Sequence, residues 1–293
     1  MNMFSVYKKQ VNNNILKSKK LQMGIRSLNK FLHVKCPGSI QNNVELKNVN
    51  IAIDAYIYMY KFLKEDMLYE GLYRMCNILK ENNVSFVFVF DGKPPEEKSE
   101  TLEERSIQRE DALLRMNQLK MSIREESSPR KVVLMTREME VMRKKSMRLK
   151  HSHIHNCKKL LNSHGVSYIQ SVGEADNLCA YLSKKRIVDA VMSDDMDMFV
   201  YGVPRVIRNW DLNNKCEIYD TSKVLSSLFL SHIDFQVLCI LVGSDYNQKN
   251  SEKVETMFQI YHKWITYKHS NKIVNYSDFV IDCDYDLDKV NNT

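Results

Sequence analysis

Residues 172–201 run V-G-E-A-D-N-L-C-A-Y-L-S-K-K-R-I-V-D-A-V-M-S-D-D-M-D-M-F-V-Y, and the way this stretch is read decides the fold. It gathers Glu174, Asp176, Asp194, Asp195 and Asp197 into one short unit. Glu174-Ala175-Asp176 opens a helical pattern, with Leu178, Tyr181 and Leu182 recurring at helical spacing. The run Ile187 to Met192, apolar except for Asp189, reads as a buried strand, and the aspartates follow it directly. In an open α/β sheet, chemistry collects where strands end and helices begin. Two acidic pairs are therefore expected to reach one rim from two directions. Carboxylates gathered this way repel one another unless a cation lies between them. An all-oxygen donor set without His or Cys favours Mg²⁺ or Mn²⁺. The stretch alone admits two readings. One is a two-metal centre for phosphodiester hydrolysis. The other is a helix N-terminus with an acidic first turn beside an Asp-rich turn.

Working outward, other strands also deliver carboxylates. Val49 to Asp54 alternates, is rich in β-branched residues and ends on Asp54; Val84 to Phe90 is a buried run ending on Asp91, stopped by Gly92-Lys93-Pro94-Pro95. Between them, Tyr56 to Lys80 carries apolar residues at helical spacing. Further on, Arg205 to Arg208 and Cys216 to Tyr219 read as strands, and Val224 to Leu230 and Phe235 to Val242 as helical. The second of these runs into Gly243-Ser244-Asp245-Tyr246, one more carboxylate at a helix C-terminus. An acid is disfavoured there unless a cation offsets it.

Residues 96–150 differ in kind. They are highly charged, lack glycine and show helical character on both sides of Ser127-Ser128-Pro129. From Arg130 to Lys159 the only carboxylates are Glu138 and Glu140. This segment reads as a basic helical arm laid on phosphates, against a solvated insertion. Arg143, Lys144 and Lys145 are its densest cations. His151, His153 and His155 follow, but on a helix only the first and last share a face, so they read as solvated or phosphate-facing.

The chain of 293 residues carries a net charge of +7 although the proposed site is acidic, which points to a polyanionic partner for the positive excess. Its seven cysteines are scattered, with no C-x-x-C pair, which favours reduced thiols over a disulfide scaffold or zinc site. No apolar stretch is long enough to span a membrane, and the first residues lack a secretion signal, so no membrane partner is expected. Residues 1–22 hold five lysines and no acid, and read as a disordered basic leader. Order is expected from Met23, with a short helix to about Leu32, broken by Cys36-Pro37-Gly38. No internal repeat is found.

The motifs M-G-I at 23–25, I-A-I-D-A at 51–55, F-V-F-D-G-K-P-P at 88–95, G-E-A-D at 173–176, D-D-M-D at 194–197 and L-C-I-L-V-G-S-D-Y at 238–246 occur in this order. Together they resemble the flap endonuclease family of the XPG-type, structure-specific 5′ nuclease superfamily. The resemblance implies an α/β fold of the PIN-like 5′ nuclease type: a central, mostly parallel sheet flanked by helices, with a helical arch at about 96–150. It implies a nuclease core over 23–246 and a two-metal site for Mg²⁺, with Mn²⁺ as substitute. It implies hydrolysis of phosphodiesters at 5′ flaps or branched DNA in replication, repair or recombination. Asp54, Asp91, Glu174, Asp176, Asp195, Asp197 and Asp245 match the family's acidic metal positions; Asp194 matches a neighbouring acid outside that set. Lys98 and Arg105 match basic residues at the scissile phosphate, Tyr60 an aromatic on which a base stacks, and Gly24 the N-terminal glycine close to the DNA. The alternatives are a 5′→3′ exonuclease or junction resolvase of the same superfamily, or a catalytically silent nucleic-acid-binding member.

Three departures from the family pattern stand out. Tyr246 to Ile260 contains no glycine where the family has a glycine-rich helix–turn–helix, so residues 247–293 are expected to be a degenerate DNA-binding region with a polar tail. The tail shows no sliding-clamp peptide. Gly24 stands behind a leader. A smaller difference is the Asp at position 176, where flap endonucleases usually have Glu; exonuclease-1-type relatives have Asp there too. A monomer acting inside the cell is expected, in the nucleus, at a cytoplasmic replication site if the source is viral, or in the mitochondrion as the lesser alternative. The Asn-, Ile- and Lys-rich composition fits an AT-rich genome, as in a large DNA virus or a parasite.

Overall fold

The computed structural model describes residues 26–94, 99–236, 239, 259, 261–263, 266 and 267. The chain divides into two compact units, residues 43–194 with 209–216, and residues 195–208 with the flanking segments up to 42 and from 217.

The larger unit is built on four parallel strands in the order β5-β2-β3-β4: β2 (Asn50–Asp54), β3 (Ser85–Phe90), β4 (Tyr168–Gln170) and β5 (Ala190–Met192). Ile53 pairs with Phe88 on one side and Met192 on the other, and Phe88 with Tyr168, so the C-terminal ends of these strands line up on one rim. Helices cover a parallel sheet on both faces, and continuous apolar strands answer that need. Ile51, Ala52, Ile53, Phe88, Val89, Ala190, Val191 and Met192 are all fully buried. β5 is shorter than the run from Ile187 suggests: Ile187 is exposed, and Asp189 turns back to β2. The Asp189 amide donates to the Asn50 carbonyl, and its carboxylate accepts the Asn50 amide at 2.9 Å.

After β2 the chain forms α2 (Ala55–Lys64) and α3 (Leu68–Glu81) rather than one helix. The break at 65–67 places Asp66 in the left-handed region, with φ 56°. Gly71 lets α3 cross close to α2, since a Cβ there would lie 2.5 Å from Phe62 Cδ1. Next come α4 (Ser99–Glu125) and α5 (Pro129–Ser146), packed as a helical hairpin and pinned by Arg115–Glu138 at 2.9 Å. α6 (His151–Ser163) leads into β4, and α7 (Ala175–Lys184) joins β4 to β5.

The second unit pairs β6 (Arg205–Arg208) antiparallel with residues 217–220 of β7 (Lys215–Asp220). Around that ladder lie α1 (Arg26–Lys35), the short α8 (Asp197–Val200) and α9 (Thr221–Leu228). Phe31, Phe199, Tyr219, Leu228 and Phe235 form its core. β1 (Ile40–Glu45), I-Q-N-N-V-E, is mostly exposed. The expected α/β class and its helical arch are observed. Of the described helices, none is long and apolar enough to cross a membrane.

The cysteines described are buried. Burial pushes Cys36 up to about 11 and Cys76 and Cys157 to about 12. A raised thiol holds its proton and reacts slowly. In the native protein at pH 8, alkylation of these three followed by mass spectrometry should therefore run about 100-fold slower than after denaturation; equal rates would contradict their burial.

Candidate functional site

The rim at the strand C-termini is assembled by backbone contacts. Phe90 accepts the Ser171 amide, Gly92 donates to Gly173 and Lys93 donates to Val172. The loop after β3 and the loop before α7 are thereby zipped together. A Cβ on Gly92 would overlap the carbonyl oxygens of Ser171 and Val172, so this passage admits only glycine. It brings Asp91, just past β3, alongside Glu174 and Asp176 at the start of α7.

Asp54, Asp91 and Asp194 are each fixed by a local task. Asp54, 5% exposed, caps α2: its Oδ1 accepts the amides of Tyr56 at 3.0 Å and Ile57 at 3.4 Å, and its Oδ2 accepts the Ser193 hydroxyl at 3.3 Å. Asp91 Oδ1 accepts the Ala175 amide at 2.7 Å, using an orphan N–H of α7. Glu174 is the N-cap residue of α7, its carbonyl accepting the Ser171 hydroxyl, and Asp176 lies in the first turn. Asp194 Oδ1 accepts the Asn209 amide at 2.7 Å.

Three of these charges act on Cys179. Burial, and then the negative fields of Asp54, Asp176 and Asp91, push its thiol well above the ordinary range. Tyr56 is raised by burial and by Asp91, Tyr60 and Asp54. In both groups the nearby carboxylates add to the effect of burial. In the second unit, Asp195 Oδ1 accepts the Asp197 amide at 3.0 Å at the start of α8, and Asp197 is 7% exposed. Burial and Asp197 raise Cys239 in the same way.

The donors are hard carboxylate oxygens, which suits Mg²⁺ or Mn²⁺ and not a soft metal. As they stand, no three His, Cys, Asp or Glu side chains among the described residues enclose one ion. The carboxylates of Asp54 and Asp91 each turn Oδ1 to helix N–H groups, two for Asp54 and one for Asp91.

Of the other expected site residues, Tyr60 lies on α2, half-buried, while its neighbour Tyr58 is the fully buried core aromatic. Arg105 is exposed on α4. Gly24, Lys98 and Asp245 lie outside the described residues. The arch cations have unexpected partners: Arg143 donates to Asp66 at 2.8 Å and to Glu140 at 2.7 Å, and Lys144 donates to Glu65 at 2.7 Å. They strap the end of α5 to the α2–α3 turn, leaving Lys145 exposed. His151 and His155 are exposed on α6, and His153 Nδ1 accepts the Lys150 amide. Ser193, which bonds Asp54, stands directly before the aspartate pair, yet nothing in the sequence pattern singles it out.

The XPG N-terminal domain model matches residues 23–112, and the XPG I-region model matches residues 165–245. A flap endonuclease 1 of Enterocytozoon bieneusi (strain H348) is 30% identical over 285 residues, covering 90% of this chain and 75% of that protein. One from Methanococcus aeolicus is 32% identical, covering 69% of this chain and 64% of its own length. Among solved structures, the flap endonuclease-1 from Methanococcus jannaschii shares 25% identity at TM-score 0.52, covering 81% of this chain and 79% of that one. The catalytic core of Rad2 in complex with DNA substrate has the same fold, with TM-score 0.56 and 23% identity, covering 90% and 79%.

Neutralising Lys145 should lower the salt slope of DNA binding by about 1. Arg143→Met should lower Tm and change the slope less, because its charge is already matched by Asp66 and Glu140. Equal slope changes for the two variants, with Tm unmoved, would contradict the strap.

Proposed function

Since the chain belongs to the XPG-type flap endonuclease family, we propose that it is a divalent-metal-dependent nuclease that hydrolyses phosphodiesters at 5′ flaps or branched DNA. The observation that carries this reading is the rim where Asp54 at the end of β2, Asp91 just past β3 and Asp176 in the first turn of α7 are brought together. A surplus of carboxylates at the ends of parallel strands calls for cations, and hard oxygens call for Mg²⁺ or Mn²⁺.

Asp54, Asp91, Glu174 and Asp176 mainly hold one ion, and Asp195, Asp197 and Asp245 the other. When bound, the ions lower the pKa of water, screen the phosphate and stabilise the leaving oxygen. The chain's own residues set the frame for that chemistry. Asp91 fixes the first turn of α7, which carries Asp176. Asp54, capped onto α2, sets the start of the helix that carries Tyr60. Tyr60 holds an unpaired base by stacking, worth about 1–3 kcal/mol. Lys98 and Arg105 place positive charge where it offsets the negative charge that develops at the scissile phosphate in the transition state. The positive excess elsewhere in the chain, with Lys145 as one exposed cation, attracts the DNA backbone. DNA with a 5′ single strand is the partner, and the chain works as a monomer.

The test is cleavage of a labelled 5′-flap DNA in Mg²⁺ by the wild type, by Asp176→Asn and by Asp195→Ala. Each substitution should slow cutting by at least ~100-fold, or ~3 kcal/mol of barrier. Wild-type protein that binds DNA yet cuts no flap, nick, Holliday junction or free 5′ end would overturn the proposal.

A further inference from the structure

Asp91 is held from a second side by residues that the proposed chemistry does not use. Gln170 ends β4, paired with Phe90, and its side-chain amide donates to the Asp91 carbonyl. The other end of the same amide, Oε1, accepts Lys158 Nζ at 2.5 Å. Lys158 comes from α6, with Nζ 4.7 Å from the Phe90 ring centroid and 5.4 Å from that of Tyr168. Those two rings meet edge-on at 5.5 Å.

The chemistry of the groups orders this chain. A lysine ammonium only donates, so it must face the oxygen end of the Gln170 amide. The NH₂ end is then turned to the Asp91 carbonyl, and the reverse orientation would set donor against donor. Lys158 thereby selects the Gln170 orientation that grips the Asp91 peptide. The two aromatic rings hold Lys158 in turn by cation–π attraction. Phe90 precedes Asp91 directly, so the same cation also steadies the strand end. Groups that orient metal-binding side chains from behind commonly matter almost as much as the ligands themselves.

We infer that Lys158 and Gln170 are positioning residues for Asp91, holding its peptide so that its carboxylate is set before a divalent ion binds. The inference rests on the reading of Asp91 as a metal ligand. Gln170→Met keeps the length of the side chain and removes the donor. Lys158→Met removes the cation, and Lys158→Arg keeps a cation that donates and stacks.

The test is Mn²⁺ binding to the full chain, followed by the electron paramagnetic resonance signal of free Mn²⁺, with Asp91→Asn as reference. Gln170→Met and Lys158→Met should each weaken Mn²⁺ binding about 10-fold or more. Their metal-free Tm should stay within about 2 °C of wild type, and Lys158→Arg should bind Mn²⁺ nearly as wild type does. On flap DNA, kcat should fall in the two methionine variants while KM for DNA holds. Wild-type Mn²⁺ affinity in both methionine variants, with Asp91→Asn impaired, would overturn the inference alone. So would a loss of affinity matched by a lower Tm and not restored in Lys158→Arg, which would mark a purely structural contact. Failure of the wild type to bind Mn²⁺, or an Asp91→Asn variant that binds it normally, would instead remove the reading beneath it.

Discussion

The acidic rim depends on the close passage of the chain at Gly92. There the segment leaving β3 lies against the carbonyls of Ser171 and Val172, with no room for a side chain. Two loops from distant parts of the sequence are thereby locked in one register, and Asp91 meets the helix that carries Asp176. The glycine of F-V-F-D-G-K-P-P is therefore a constraint on approach between backbones, not a flexible joint.

The acids serve the fold and the site together. A carboxylate at a helix N-terminus satisfies orphan amides and lies favourably in the helix field. Asp54 does this for α2 and Asp91 for α7. The two early readings of an acidic cluster, metal centre or helix start, are thus not exclusive. Capping engages Oδ1 of each carboxylate and so fixes where its other oxygen points. What capping does not relieve is the summed negative field, which adds to burial in raising the Cys179 thiol and the Tyr56 hydroxyl.

Much of this was legible locally. β2 and the second half of β3 are buried on both faces and rich in β-branched and aromatic residues, and the aspartates that end β2 and follow β3 mark the rim. β1 was not expected, because I-Q-N-N-V-E is largely exposed and lacks a buried face to signal it. β4, three residues long, is too short to show a period. The break between α2 and α3 carries neither Gly nor Pro; Asp66 takes the left-handed turn without the usual marker. The cations of α5 show a different limit. Arg143 and Lys144 belong to a run that reads as a phosphate surface, but their partners Asp66 and Glu65 lie 77 and 79 residues earlier. Composition reports the charge, and only tertiary structure reports what answers it.

The central claim is that the rim is a divalent-cation site. Thermal unfolding at constant ionic strength, with and without Mg²⁺, tests it most directly, because an ion that binds only the folded chain must stabilise it. At Mg²⁺ well above its Kd, Tm of the wild type should rise by ~5 °C. The same addition should leave an Asp91→Asn, Asp176→Asn double variant nearly unmoved. An unchanged wild-type Tm, or the same rise in both proteins, would contradict the account.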